Sequence, residues 1–302
     1  MNIRTIAIIC ATLVALFYAF NFTIAKEVMP EYIGPFGLTW YRVMGVCLLL
    51  WVIDAVAGTR ERVPLKMLPR IALAAFCGVG FNMVTFMTGL EYTTPISAAV
   101  LMVTTPIIVL ALSALFFKER LTRYSVVGIL VGFSGAAMLI LASSESSENA
   151  SNPTLGNFLM FVNALSYSFY IILAKKLTAK LRLLTLMKWL YLFGFLLITP
   201  FGIKQGLAFD YSSASLEVYA AIGYVVLFAT FGTYMLNIVA IKNLRPSVVA
   251  VFIYLQPLLA GIIAVGLGKD SVTLVKIAAA ALIFGGVFIT TLKRKKADPK
   301  LS

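Results

Sequence analysis

Of 302 residues, 61% are hydrophobic and only 12% charged, whereas soluble globular chains carry about 25% charged residues; a soluble domain is excluded. The formal net charge of +13 does not indicate a nucleic-acid partner, because the basic residues gather at the ends of apolar runs. The chain has no His, which excludes His-based catalysis and His metal sites, and Cys10, Cys47 and Cys77 lie inside apolar runs, where they read as small core residues rather than a disulfide or metal set.

Most of the chain falls into apolar stretches of about 20 residues, the length that carries a helix across a hydrocarbon core of about 30 Å. Spans inside lipid must satisfy their own backbone hydrogen bonds, and continuous apolar runs without two-residue alternation select helices over a barrel. In chain order the runs predict ten membrane-spanning helices, at about 4–26, 36–57, 69–90, 95–117, 122–142, 154–176, 183–203, 216–240, 246–267 and 272–292. Arg4 precedes the first run as in a signal peptide. That run reaches about Lys26 without a small-residue cleavage site, so it reads as an uncleaved span. Pro30, Pro35, Pro64, Pro69 and Pro153 punctuate the connections. Trp40, Trp51 and Trp189 near span ends read as interfacial anchors, and the Lys293-Arg294-Lys295-Lys296 tail as a stop signal in contact with anionic lipid.

One stretch occurs twice. Gly89–Leu141 is an apolar span, a polar corner Lys118-Glu119 and a second apolar span, and Ala240–Leu292 repeats it 151 residues later without a gap. Pro95, Pro106, Lys118, Glu119 and Gly135 fall on Pro246, Pro257, Lys269, Asp270 and Gly286. The N-terminal part repeats at a spacing of 149, so that Tyr18, Lys26, Trp40 and Gly45 fall on Tyr167, Lys175, Trp189 and Gly194. The chain therefore divides into a first five-helix repeat (1–142), a polar linker (143–153), a second five-helix repeat (154–292) and a basic tail (293–302). The termini and the connections after spans 2, 4, 6 and 8 hold 20 of the 25 Lys and Arg, which places both termini in the cytoplasm and the linker outside. Five is an odd number, so the second copy enters the membrane inverted. Inverted repeats that rock about a shared midplane site give alternating access, and the expected function is that of a carrier.

The stretch Gly89-Leu90…Pro95…Pro106…Phe117-Lys118-Glu119-Arg120-Leu121-Thr122, followed by Gly128, Gly132 and Gly135, resembles the EamA module of the drug/metabolite transporter superfamily. The aromatic first span Phe17-Tyr18-Ala19-Phe20-Asn21-Phe22 is similar to that module, with Tyr18-Ala19 in place of the family's usual Trp-Gly pair. Gly34-Pro35…Trp40-Tyr41-Arg42 matches its second span. The resemblance covers nearly the whole chain. It implies ten helices in two inverted five-helix repeats, a plasma-membrane location (the bacterial inner membrane) and export of small metabolites, without naming one. It further implies a cavity lined by spans 1, 3 and 4 together with 6, 8 and 9, and dimer contacts through the last span of each copy in some branches, so that a monomer or a weak homodimer is expected.

Polar groups at membrane depth are costly and are candidates for function. Arg42, several residues into span 2, could attract a carboxylate; the structural alternatives are a snorkelling side chain or a partner for Glu91 or Glu31. Tyr18 and Asn21 in span 1 match Tyr167 and Tyr170 in span 6. Asn82 and Thr85 occupy span 3, Thr233, Tyr234 and Asn237 occupy span 8, and Tyr254 and Gln256 precede Pro257 in span 9. The resemblance puts these groups near the cavity, where they could contact substrate or bond helix to helix. Pro106 and Pro257 read as matched hinges or static kinks, and Gly128, Gly132 and Gly135 as a close-packing face.

No cofactor is indicated, and no Walker motif points to ATP as the driver. Carboxylates fall at span ends or in connections, which favours a facilitative or exchange carrier, with Glu91 the one acid that could couple protons. A membrane enzyme would need a nucleophile–base pair or clustered acids, and a channel a symmetric polar constriction; neither pattern is present. The reading is an alternating-access carrier of small metabolites such as amino acids, with a proton-coupled exporter of drugs or nucleobases as the alternative.

Overall fold

The computed structural model describes residues 2–58, 61–117, 121–142, 150–212, 214–244 and 246–291. The predicted corner Lys118-Glu119-Arg120, most of the Ser143–Pro153 linker and the tail from Lys293 lie outside them. All regular elements among the described residues are helical. Prolines open four of the helices in the first-turn position, where their missing N–H costs nothing. These are α2 (Pro35–Ala57), α5 (Pro95–Met102), α8 (Pro153–Thr178) and α12 (Pro246–Gly266). Polar side chains cap two of them: Thr94 accepts from Ser97 N at 3.4 Å, and Asn152 from Leu155 N at 3.1 Å. The first span, α1 (Ile3–Val28), starts on Asn2, and α2 stops at Gly58 in the left-handed region, φ 63°.

Eight helical runs among the described residues are long and apolar enough to cross a membrane, and two shorter apolar helices, Tyr254–Gly266 and Leu274–Thr290, follow. Three of the ten predicted spans are not single rods. The third comprises α3 (Leu68–Ala75), a π-helical turn Phe76–Gly80 and α4 (Phe81–Tyr92). The eighth comprises α10 (Leu216–Val226), a π turn Leu227–Gly232 and α11 (Thr233–Asn243). The fourth breaks at Val103-Thr104 between α5 and α6 (Thr105–Phe117). The hydroxyls of Thr104 and Thr105 there donate to the carbonyls of Leu101 (2.7 Å) and Met102 (2.8 Å), supplying part of what the helix ladder loses before Pro106.

α2 lies along α9 (Leu183–Leu207), α4 along α8, α7 (Arg123–Ala142) along α13 (Leu274–Thr291), and α1 against α11 and α12. The small-residue face of α7 meets α13 backbone to backbone. A Cβ on Gly286 would lie 2.6 Å from the Gly128 carbonyl oxygen and 2.6 Å from Gly132 N. Without those glycines the two helices could not approach this closely. Trp40 is a core residue, not the interfacial anchor expected of it. It is 8% exposed, stands against Gly202 and Gly206 of α9, and donates from Nε1 to the Thr199 hydroxyl at 3.1 Å. The indole N–H finds its partner across the helix pair rather than at a membrane surface. Trp51, by contrast, is 38% exposed and stands edge-on to Trp189 at 6.0 Å.

Candidate functional site

Arg42 sits two turns into α2, is 5% exposed, and donates from Nε to the hydroxyl of Thr230. Thr230 belongs to the π turn Leu227–Gly232, where its hydroxyl also donates to the Val225 carbonyl at 2.7 Å. One hydroxyl thus serves a widened turn and holds a guanidinium, and π turns are frequent at functional positions. Glu91 and Glu31, the partners considered for Arg42, are not bonded to it. The ion pairs among the described residues are Lys188–Asp54, Lys269–Glu27 and Lys276–Asp270. Among the described residues Arg42 is thus a buried cation held by a neutral oxygen, without a carboxylate bonded to it.

Five tyrosines gather here, two of them within electrostatic reach of the cation. Tyr191 of α9 stands edge-on to Tyr234 of α11, with ring centroids 5.7 Å apart and planes at 89°. Tyr167 and Tyr170 of α8 pack together at 5.6 Å. The hydroxyl of Tyr18 in α1 is near enough to interact electrostatically with those of all four, and the Arg42 guanidinium with those of Tyr191 and Tyr234. Each phenol can donate one hydrogen bond and offer an apolar ring face, so the group sets hydroxyl donors and ring faces side by side. Gly78, in the π turn of the third span, gives Tyr170 its room, since any Cβ there would overlap the ring. Tyr18, Arg42, Tyr167, Tyr170 and Tyr234 of this cluster were sequence candidates, and Tyr191 and Thr230 were not. The 149-residue spacing that pairs Trp40 with Trp189 also pairs Arg42 with Tyr191, so the signal for Tyr191 was present.

The remaining candidates lie elsewhere or are already engaged. The Asn82 amide donates to the Asn163 carbonyl at 3.1 Å and Asn163 returns the bond at 2.6 Å, joining α4 to α8. The Thr85 hydroxyl donates to the backbone carbonyls of Phe81 and Asn82, each at 2.9 Å. Asn21 is 0% exposed and neither amide atom has a hydrogen-bond partner, which makes it a buried, unsatisfied polar group. Tyr254 packs edge-on to Phe284 at 6.0 Å, in a core cluster distinct from the one holding Tyr170 and Tyr191. Asn237 and Gln256 are half-buried. The two prolines stand in unlike backbones: Pro106 begins α6 just after a break, whereas α12 runs unbroken through Pro257.

Charged groups missed as partners by sequence reasoning tie helix ends together. Lys188 of α9 pairs with Asp54 of α2, and its ammonium lies 5.0 Å from the centre of the Trp51 ring. At the opposite end of α2, Lys26 of α1 donates to the carbonyls of Leu90 and Glu91, each at 3.1 Å, and to that of Thr93, where α4 ends. Asp270 accepts from Ile96 N at 2.9 Å, capping α5, and pairs with Lys276.

A model of the EamA-like transporter family matches residues 5–141 and again 154–292. The chain is 26% identical over 297 residues to an uncharacterized transporter of Archaeoglobus fulgidus, covering 97% of this chain and 99% of that one. It is 25% identical over 228 residues, 76% of this chain and 69% of the relative, to the uncharacterized transporter YetK of Bacillus subtilis. It is 26% identical over 263 residues, 85% and 82%, to the uncharacterized inner membrane transporter YedA of Escherichia coli. A solved crystal structure superposes with a TM-score of 0.61 at 17% identity, covering 97% of this chain and 99% of that one, and so shares the fold. With both halves matched and with apolar helices long enough to span a bilayer, this multi-pass membrane protein belongs to the EamA-like transporter family.

Proposed function

We propose that the chain is an alternating-access carrier that exports small carboxylate-bearing metabolites, the class to which amino acids belong, across the plasma membrane without ATP. Ten spans form two inverted five-helix repeats with both termini in the cytoplasm. Two observations support that arrangement. The family model matches each half, and the packing of α4 of the first half on α8 of the second is answered by that of α11 of the second on α1 of the first. Arg42 carries the functional reading. A cation that is 5% exposed and bonded to a threonine hydroxyl on an apolar helix is a standing cost to folding unless a ligand uses it.

Two measurements test this. Cysteines placed at 118 and 269 should label from opposite faces of the membrane; labelling from one face would refute the inverted arrangement. Proteoliposomes preloaded with labelled amino acids, aryl carboxylates and nucleobases should release carboxylates without a proton gradient, and Arg42→Gln should stop that release. Release only with a gradient would favour the proton-coupled alternative and direct attention to Glu91, which is half-buried beside Lys26. Release of nucleobases alone would remove the carboxylate from the reading.

A further inference from the structure

We infer that the Arg42 site selects monoanionic aryl carboxylates over the zwitterionic amino acids of the same shape. This rests on the reading of Arg42 as the anion-binding group and narrows it by charge.

An amino acid bound through its carboxylate at Arg42 would bring its ammonium into the same buried space, close to the guanidinium. It would need a counter-anion there, because an unpaired ion loses hydration that nothing replaces, and like charges in a low-dielectric site repel. Of the twelve acidic residues of the chain, those among the described residues do not provide that anion. Asp54 pairs with Lys188, twelve residues and about 18 Å along α2 from Arg42. Asp270 pairs with Lys276, and Glu27 with Lys269. Glu61 accepts from the backbone of Arg182, and Asp210 from Ser212, both outside the helices. Glu31 and Glu217 are exposed, in the connection after α1 and in the first turn of α10, and Glu91 stands in the last turn of α4 beside Lys26. Glu119, Glu145, Glu148 and Asp298 lie outside the described residues, in the corner, linker and tail sequences.

The groups that do face the cation are neutral. Thr230 holds its Nε, and the phenols of Tyr191 and Tyr234 are within electrostatic reach. Phenols donate to carboxylate oxygens and offer ring faces to an aryl group. Among the described residues the site therefore holds one positive charge, and a ligand carrying one negative charge and no positive one leaves it balanced.

The test compares three molecules that differ only in charged groups. Purified protein in detergent is titrated with 3-phenylpropionate, L-phenylalanine and 2-phenylethylamine, and binding is followed by thermal shift and tryptophan fluorescence. 3-Phenylpropionate is expected to bind about tenfold or more tightly than L-phenylalanine, and 2-phenylethylamine not to saturate. Arg42→Gln should lose 3-phenylpropionate binding. Arg42→Lys, which keeps the charge, should keep the order of preference at lower affinity and so separates a binding defect from a folding one. Equal or tighter binding of L-phenylalanine would overturn the inference while leaving Arg42 as the carboxylate site, with the tyrosine faces taking the ammonium. Failure of all three to bind would overturn both.

Discussion

Lys188 of α9 and Asp54 of α2 form an ion pair between two neighbouring helices, with side-chain exposures of only 8% and 11%. The ammonium also lies over Trp51, so α2 and α9 are joined by charge at this end, as they are joined at the other by the bond from Trp40 to Thr199. Removing one member of such a pair leaves the other buried and uncompensated, which typically costs about 3–5 kcal/mol. Asp54→Asn and Lys188→Met are each expected to lower the midpoint of thermal unfolding in detergent, and the Asp54→Leu/Lys188→Met double variant to recover most of the loss. If the double variant is as unstable as the sum of the singles, the pair is not the source of the effect.

The contact between α7 and α13 predicts a sharp difference between adjacent glycines. Gly286 faces the backbone of Gly128 and Gly132, whereas a Cβ on Gly285 meets nothing within 4 Å. Gly286→Ala must push the helices apart, an overpacking cost of about 1–3 kcal/mol, and Gly285→Ala should be neutral. Size-exclusion profiles after heating would report both; equal behaviour of the two variants would refute the close approach.

Thr230 is expected to act on Arg42 rather than on substrate. Its hydroxyl holds the guanidinium Nε, and a hydrogen bond to a charged group contributes about 1.5–3 kcal/mol. Thr230→Val should weaken carboxylate binding by roughly tenfold or more, and Thr230→Ser should restore it. Unchanged affinity in the valine variant would mean that Arg42 is positioned by other groups.

For Asn82, the exchange of bonds with Asn163 predicts a structural signature. Interhelical hydrogen bonds in membrane proteins average about 0.6 kcal/mol and reach about 1.7. Asn82→Ala should therefore lower the unfolding midpoint modestly and leave ligand affinity nearly unchanged. The reverse pattern would put Asn82 in contact with substrate.

Periodicity and proline placement made the helices legible. Pro35, Pro95, Pro153 and Pro246 open helices where the apolar runs begin, and Gly128 with Gly286 sits where two spans touch. Arg42 was legible because an arginine among apolar neighbours stands out. Its partner was not, because Thr230 lies 188 residues away on a span with other hydroxyls, and no local rule chooses among them. Asp54 and Lys188 were hidden for the same reason, being 134 residues apart and each near a span end where charges are ordinary. Trp40 was misread because an aromatic residue near a span end fits a lipid interface as well as it fits a groove between glycines; only the neighbouring helix decides. Nothing in Phe76–Gly80 or Leu227–Gly232 marks a π turn, since the turn stores its irregularity in backbone pairing rather than in residue type.

Those two π turns begin 151 residues apart, the spacing at which the second half of each copy aligns without a gap. A π turn is the trace of one residue added to a helix without a new turn, and each added residue swings the following side chains by about 100°. The two halves therefore turn their side chains at the same point along the chain, and the positions that align inside the two bulges differ in what they present: Val79 packs as a buried apolar side chain, whereas Thr230 offers the hydroxyl that meets Arg42.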